Sequence, residues 1–162
     1  MKFLKLSNQI IVGLLFFSNS LFSAVQIIQP SENAYEEIQE AFILAEPGDV
    51  IRLTSGTYNL QDSLSLDVEG VQVEGEGMDQ TVLNFSNQQS GAQGLSVTSD
   101  NVTLQDFSVQ NAKGDAIKVK GVTNIKFLRV KTEWTNGPST ENSAYGLYPV
   151  ESTNVLIDGC VA

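Results

Sequence analysis

Two hydrophobic rhythms follow one another along the chain. Between Asn33 and Ala45, apolar residues recur at steps of three and four, so that Tyr35, Ile38, Phe42 and Ala45 share one face. That is the period of an amphipathic α-helix. Asn33, with Glu36 three residues later, forms a candidate capping box, and Pro47-Gly48 stops the helix. From Val50 onward the apolar positions alternate in twos. This is the period of strands, whose successive side chains point to opposite faces. Gly56-Thr57-Tyr58 is expected to turn the chain toward the first full coil.

The alternating part repeats. "NVTLQDFSV" from Asn101, "NIKFLRVKT" from Asn124 and "NVLIDGCVA" from Asn154 align without gaps. The apolar or small positions are Val102, Leu104, Phe107 and Val109; Ile125, Phe127, Val130 and Thr132; and Val155, Ile157, Cys160 and Ala162. Each set describes two short strands meeting at a bend. "GVQVEG" from Gly70 begins the same way, with glycine in place of asparagine. A third strand precedes each start: Leu64 and Leu66, Leu95 and Val97, Ile117 and Val119, then "GLYPV", whose register the pattern leaves open. The starts at Gly70, Asn101, Asn124 and Asn154 lie 31, 23 and 30 residues apart. Periods of ~20–50 residues mark solenoids. Three short strands per turn predict an all-β solenoid, a single-stranded right-handed parallel β-helix under an N-terminal capping α-helix. Like positions then stack at ~4.8 Å, and each apolar position becomes a ladder through the core. The asparagines suit the left-handed backbone of a sharp corner and can hydrogen-bond along the stack.

The first residues obey neither rhythm. Lys2 and Lys5 precede a short apolar run, Ile10 to Phe17, and small and polar residues follow up to Ala24. This is the pattern of a secretory signal peptide, too short to span a bilayer. Residues 1–24 are therefore expected to be a signal peptide, 25–48 an N-terminal segment with the capping helix, and 49–162 the coils. The cut is expected after Ala24. Ser20 and Ser23 are alternatives, because Phe22 is bulky for a position three residues before the cut. The expected location is exported, periplasmic or secreted, with no membrane span after cleavage. Ala162 falls mid-coil, which predicts that the β-helix continues beyond it and that this chain is the N-terminal part of a longer protein.

Charge narrows the partners. Without Lys2 and Lys5, seven basic residues face 19 acidic ones, a net charge of −12. That argues against nucleic acid as a partner. Six of the seven lie between Lys113 and Lys131, opposed there by Asp115 alone, so a positive face on an acidic body is expected. The chain has no histidine and one cysteine, Cys160. The commonest general base is thus absent, and no internal disulfide can form.

The stretch "PGDVIRLTSGTY" after a capping helix, followed by repeats of the form "GxxVxxxxNVxI", resembles the pectin-lyase-like superfamily of right-handed parallel β-helix proteins. The resemblance covers residues 31–162. More narrowly, "GDAIKVKGVTNIKFLRV" with "AYGLYPVESTNVLIDGC" is similar to a bacterial family of exported parallel β-helix repeat proteins of unsettled activity. The superfamily resemblance implies binding or processing of polysaccharide, often acidic, by lyases, epimerases or hydrolases. The narrower one implies a non-enzymatic periplasmic scaffold or a partner of a cytochrome-c-like or metal-handling protein. Catalytic motifs of the enzymes, such as Asp-Pro-His-Asp or Gly-His-Gly, are not found in this segment, so no catalytic residue is assigned.

Solenoid chemistry concentrates on loops leaving one face. The longer repeats are expected to carry loops near residues 78–93 and 133–144, with a short floor at 110–114 between them: a cleft. The second loop holds Trp134, Asn136, Glu141, Asn142 and Tyr145. Aromatic planes beside amides suit sugars, although aromatics also anchor long loops. Lys118 and Lys120 alternate with inward Ile117 and Val119 and should point outward, as a solvated edge or as a docking strip for a polyuronate. The ligand candidates are thus Trp134, Asn136, Tyr145, Asp115, Lys118 and Lys120. Asp106, Arg129 and Asp158 sit near one bend and can stack as charge pairs, offset by one residue. Asp62, Asp67, Glu69, Glu74, Glu76 and Asp79 form an acidic strip of the hard oxygen ligands that Ca2+ takes, but in no known calcium-loop spacing. No metal ligand is therefore assigned, and no cofactor is evident.

Overall fold

The computed structural model describes residues 23–137, 139–140, 142 and 145–162. The expected signal peptide up to residue 22, and Glu141, lie outside the described residues.

In chain order the elements are β1 (Val25–Ile28), α1 (Ala34–Leu44), β2 (Val50–Leu53), β3 (Gly56–Asn59), β4 (Leu64–Leu66), β5 (Gln72–Glu74) and β6 (Thr81–Asn84). Then follow β7 (Gln93–Val97), β8 (Thr103–Gln105), β9 (Ser108–Gln110), β10 (Asp115–Lys120), β11 (Thr123–Leu128), β12 (Lys131–Glu133), β13 (Leu147–Val150) and β14 (Thr153–Asp158). They form three parallel sheets. The first runs β1-β2-β5-β8-β11-β14, the second β4-β7-β10-β13 and the third β3-β6-β9-β12. Each coil passes through the second, first and third sheets in turn. The chain is therefore a parallel β-helix, as its periodicity predicts.

The register confirms the repeat. Leu104 pairs with Val73 and Phe127, and Phe127 pairs with Ile157. Leu64, Leu95, Ile117 and Leu147 form one inward ladder. Inward residues of the inner coils are buried throughout, each contributing about 1.5–3 kcal/mol for full burial. The last coil keeps register, and its inward Val155 and Ile157 are exposed. "GLYPV" settles with Leu147 opposite Ile117 and Pro149 opposite Val119. Pro149 lies on the outermost strand of its sheet, where a missing N–H is tolerated.

The corner asparagines behave as expected. Asn101, Asn124 and Asn154 have φ of 60°, 62° and 52°. Asn124 Nδ2 donates to Asn101 Oδ1 (2.8 Å), and Asn154 Nδ2 donates to Asn124 Oδ1 (3.0 Å). At the foot of the column, Asn101 Nδ2 donates to Glu69 Oε1 (2.6 Å). Asn84 and Asn101 begin glycosylation-type triplets, but Phe85 and Val102 are fully buried, and both amides are engaged in hydrogen bonds.

Four local expectations change. Asn33 occupies the helix N-cap, but its side chain makes no capping bond. Ser31 takes the place expected of Glu36: its hydroxyl accepts from Asn33 N–H and donates to Glu37. The buried helix face is Ala34, Ile38, Ala41 and Phe42, with Tyr35 only partly covered. Gly56-Thr57-Tyr58 is a strand rather than a turn; Tyr58 is buried, with its hydroxyl donating to Ile28 O and Thr54 O. Val25–Ile28 adds a strand ahead of the helix, parallel to β2. The helix also closes an open edge. Gln39 Nε2 donates to Ser65 O and Gln39 Oε1 accepts from Ser65 N–H, both at 2.9 Å, which satisfies the outer strand of the second sheet.

Candidate functional site

Coils differ in length mainly where the third sheet hands over to the second. There the connections are residues 85–92, 111–114 and 134–146 in successive coils. The first long loop is shorter than the sequence implies, because Thr81–Asn84 is strand β6. The remaining extra residues of that coil lie at another corner, at 75–80, where the next coil has only Asp106 and Phe107. Two long loops nevertheless flank one short connection on the same edge.

Side-chain amides hold that edge together. Asn84 Nδ2 donates to Asn59 Oδ1 (2.9 Å), and Asn111 Nδ2 donates to Asn84 Oδ1 (3.2 Å) and Ser86 Oγ (3.0 Å). Asn111 Oδ1 accepts from Thr135 N–H (2.8 Å) and from the Thr135 hydroxyl (3.0 Å). Asn111 also has a left-handed backbone, φ 58°. Gln88 is buried in the lower loop. Its Nε2 donates to Ser63 Oγ, Ser90 O and Gln93 O, and its Oε1 accepts from Lys113 N–H (3.0 Å). A Cβ on Gly114 would lie 1.7 Å from Ala92 O, so only glycine lets the short connection settle on the loop below.

The three connections enclose a cavity of about 160 Å³ lined by Ser86, Asn111, Ala112, Lys113, Trp134, Asn136 and Asn142. It is smaller than the ~300–1,000 Å³ of a typical small-molecule pocket, a size that suits one unit of a longer ligand. Trp134 is partly buried against the core, and its Nε1–H donates to Ala112 O (2.7 Å). The indole thus anchors the loop while also lining the cavity. Its described lining holds amides, a hydroxyl, an aromatic plane and one ammonium group, and no carboxylate. A larger open hollow of about 480 Å³ lies near the helix, between Pro30, Ser31, Glu32, Thr57 and Asn59. It offers neither an aromatic plane nor a cation.

Beyond the loop, Tyr145 stacks on Tyr148 with ring centroids 4.4 Å apart and planes 11° apart. Tyr145 is 50% exposed. Lys118, opposite Tyr148 in register, places its Nζ 5.6 Å from the Tyr148 ring centroid. Lys120 is exposed at the end of the same strand, and Asp115 is half-buried at its start. Trp134 and Asn136 therefore share the cavity, and Tyr145 and Lys118 meet through Tyr148. Sequence reasoning passed over Tyr148, because the register of "GLYPV" was open. It also passed over Asn111, which sits one residue out of alignment with Asn84: Asn84 pairs with Gln110.

The cations divide into two groups. Arg52 pairs with Glu74 (2.6 Å), Arg129 with Asp106 (2.6 Å), and Lys131 with Glu133 (3.0 Å) and Asp79 (3.3 Å). The Asp106 carboxylate, with Asp158 a smaller influence, raises the Arg129 pKa. Glu133, with Asp79 adding to it, raises that of Lys131 against a small opposing effect of burial. Lys113, Lys118, Lys120 and Lys126 make no ion pair with any described residue. The acidic strip disperses: Asp62 turns to Ser63 and Ser90, Asp67 to Thr98 and Ser99, Glu69 to Asn101, Glu74 to Arg52, Glu76 to Ser55 and Asp79 to Lys131. Among the described residues no group of acids converges as a metal site, and no helix is long and apolar enough to cross a membrane.

No family model matches this sequence, and no curated protein matches it significantly. Solved structures do. A pectin methylesterase mutant in complex with a hexasaccharide superposes with a TM-score of 0.57 at 14% identity, over 86% of this chain and 54% of that one. Pectin methylesterase PemA from Erwinia chrysanthemi matches with a TM-score of 0.45 at 11% identity, over 70% of this chain and 47% of that one. The chain thus spans about half the length of the solved structures it matches. At this identity the likeness shows the parallel β-helix fold and nothing finer.

Proposed function

We propose that this is an exported parallel β-helix repeat protein, periplasmic or secreted, whose loop-lined edge binds an acidic polysaccharide. The observation that carries the reading is the stacked Tyr145–Tyr148 pair with Lys118 against it. Tyrosine faces cover the apolar C–H faces of a sugar. An ammonium group that pairs with no carboxylate among the described residues attracts a uronate carboxylate. The cavity under Trp134 adds amide donors and acceptors from Asn111, Asn136 and Asn142, with Lys113 at its rim. Hexasaccharide-bound pectin methylesterase shares the fold, which lends support to a polymer ligand without transferring its chemistry.

The test is titration calorimetry of the full protein with polygalacturonate, alginate, fully methyl-esterified polygalacturonate and a neutral glucan. The expected result is binding to the two charged polymers that weakens as salt rises. The ester and the glucan should bind at least tenfold more weakly. Lys118→Met should reduce both affinity and salt dependence. Equal affinity for charged and esterified polymer, or no binding to any polyuronate, would refute the reading.

A further inference from the structure

The start of the folded region sits on a carboxylate. Ala24 N–H donates to Asp49 Oδ1 at 2.8 Å, and Asp49 Oδ2 accepts from Glu46 N–H at 2.9 Å. Ala24 O accepts from Val50 N–H at 2.9 Å, one residue ahead of the Val25–Val50 pairing. Ala24 is therefore already part of the sheet, and Asp49 makes no ion pair with any described residue. A cut after Ala24 would remove both the acceptor for Val50 N–H and the donor to Asp49. A cut one bond earlier keeps both. It also places Leu21, rather than the bulkier Phe22, three residues before the scissile bond, at a position that favours small side chains.

We infer that the mature chain begins at Ala24, and that Asp49 is the receptor for its α-ammonium group. This rests on the export reading above. A signal peptidase adds water across the Ser23–Ala24 peptide bond. The Ser23 carboxylate departs with the signal segment, and the freed Ala24 amine takes up a proton beside Asp49. A hydrogen bond from a neutral amide to the carboxylate becomes an ion pair with charge on both partners, which strengthens it. The Ser23 hydroxyl bond to Gly48 O is given up to water at an exposed site. Pro47-Gly48-Asp49, the turn between helix and strand, thereby acquires a role: it clamps the end that export creates.

The experiment is to express the full chain from Met1 in a bacterium with a periplasm and to measure the intact mass of the periplasmic product. A mass beginning at Ala24 supports the inference. One beginning at Val25 or Leu21 overturns it while leaving export standing. An unprocessed cytoplasmic chain overturns the export reading and, with it, this one. A second measurement compares chains that begin at Ala24 and at Val25, each released from a cleavable fusion with a native terminus. The Ala24 chain should melt about 2–4 °C higher at pH 6.5. Because the pair raises the folded-state pKa of the amine, that advantage is full below the unfolded value near ~7.7–8.0 and fades as pH rises through the folded one. Asp49→Asn should shrink it at pH 6.5. Equal melting temperatures for the two chains would overturn the role of Asp49.

Discussion

Two corners of the helix use the same chemistry to different ends. Where the second sheet hands over to the first, Gly70, Asn101, Asn124 and Asn154 all have left-handed backbones. The three asparagines form one amide column. Nothing projects from it, and each coil crosses it in a few residues. Where the third sheet hands over to the second, Asn59, Asn84 and Asn111 form another column, which ends on Thr135 at the root of the longest connection. That loop carries Trp134, Asn136 and Tyr145. The amide column is a stacking device in both places. The difference lies in what hangs from it, and a solenoid acquires a binding face by lengthening one corner while holding the other fixed.

Substitutions at the two columns should separate these roles. Asn124→Ala keeps a β-carbon in the left-handed region but loses the polar side chain that eases it there, at a cost of up to about 1 kcal/mol. It also removes two ladder bonds of about 0.5–1.5 kcal/mol each. The expected loss is therefore about 1–4 kcal/mol by urea denaturation, and Asn124→Gly should recover the conformational part. Neither should alter polyuronate affinity. Asn111→Gly keeps the backbone but frees Thr135 and the loop, so about 1–3 kcal/mol of stability and a measurable part of the affinity should go together. If Asn124→Gly weakened binding as much as Asn111→Gly does, the division between the corners would fail.

Within the loop edge the contrast continues between anchor and platform. Trp134 packs on the core and bonds Ala112 O. Trp134→Ala should cost stability, about 1–3 kcal/mol for a partly buried aromatic, as well as affinity. Tyr148→Ala removes the surface on which Tyr145 stacks, and should weaken binding about tenfold while moving stability by less than about 1 kcal/mol. Calorimetry and thermal melts on the same samples distinguish the two. A Tyr148→Ala variant that melts early but binds normally would make the tyrosine pair a structural feature.

The fold was legible because its signal is repeated. Val102, Leu104, Phe107 and Val109 predict their neighbours above and below, and one register error would expose a whole ladder. The corner asparagines were legible for the same reason, and so was the stack of Asp106 under Arg129, from which Asp158 is offset by one residue, lying opposite Leu128. The loop edge was only partly legible. Trp134 and Tyr145 stand out by type, but which of them anchors depends on contacts made far along the chain. Trp134 finds Ala112 O, whereas Tyr145 finds Tyr148, three residues on but across a register that no pattern fixed. Asn111 and Gln88 were missed because loops carry no period. The capping box failed because the Ser31 hydroxyl, outside the expected spacing, takes the Asn33 N–H that Glu36 was expected to accept. Strand β1 was missed because it stands alone before the helix, with no repeat to mark it.

The third corner, between the first and third sheets, supplies the smallest test, because it is built from charges instead of amides. Asp106 and Arg129 both take left-handed backbones there and pair through two bonds of 2.6 and 2.7 Å. Below them Glu76 accepts from Ser55 N–H at 2.8 Å and from the Ser55 hydroxyl. Those two bonds, with a smaller contribution from Arg52, hold the Glu76 carboxyl below its ordinary pKa of 4.5. A carboxyl depressed on folding stabilises the native state above its unfolded value and loses that contribution as pH falls through its folded one. Glu76→Gln should therefore melt slightly below the parent at pH 6, and the gap should close as pH drops below 4.5 toward ~3. Glu76 is solvent-exposed, so the effect should also shrink with added salt. Asn124 itself bonds only the amides of Asn101 and Asn154, with the Glu69 carboxylate one step further down the column, so its Asn124→Gly penalty should vary less across the same pH range. Parallel melting curves for the Glu76→Gln and Asn124→Gly proteins from pH 6 to 3 would erase the distinction between charged and amide corners.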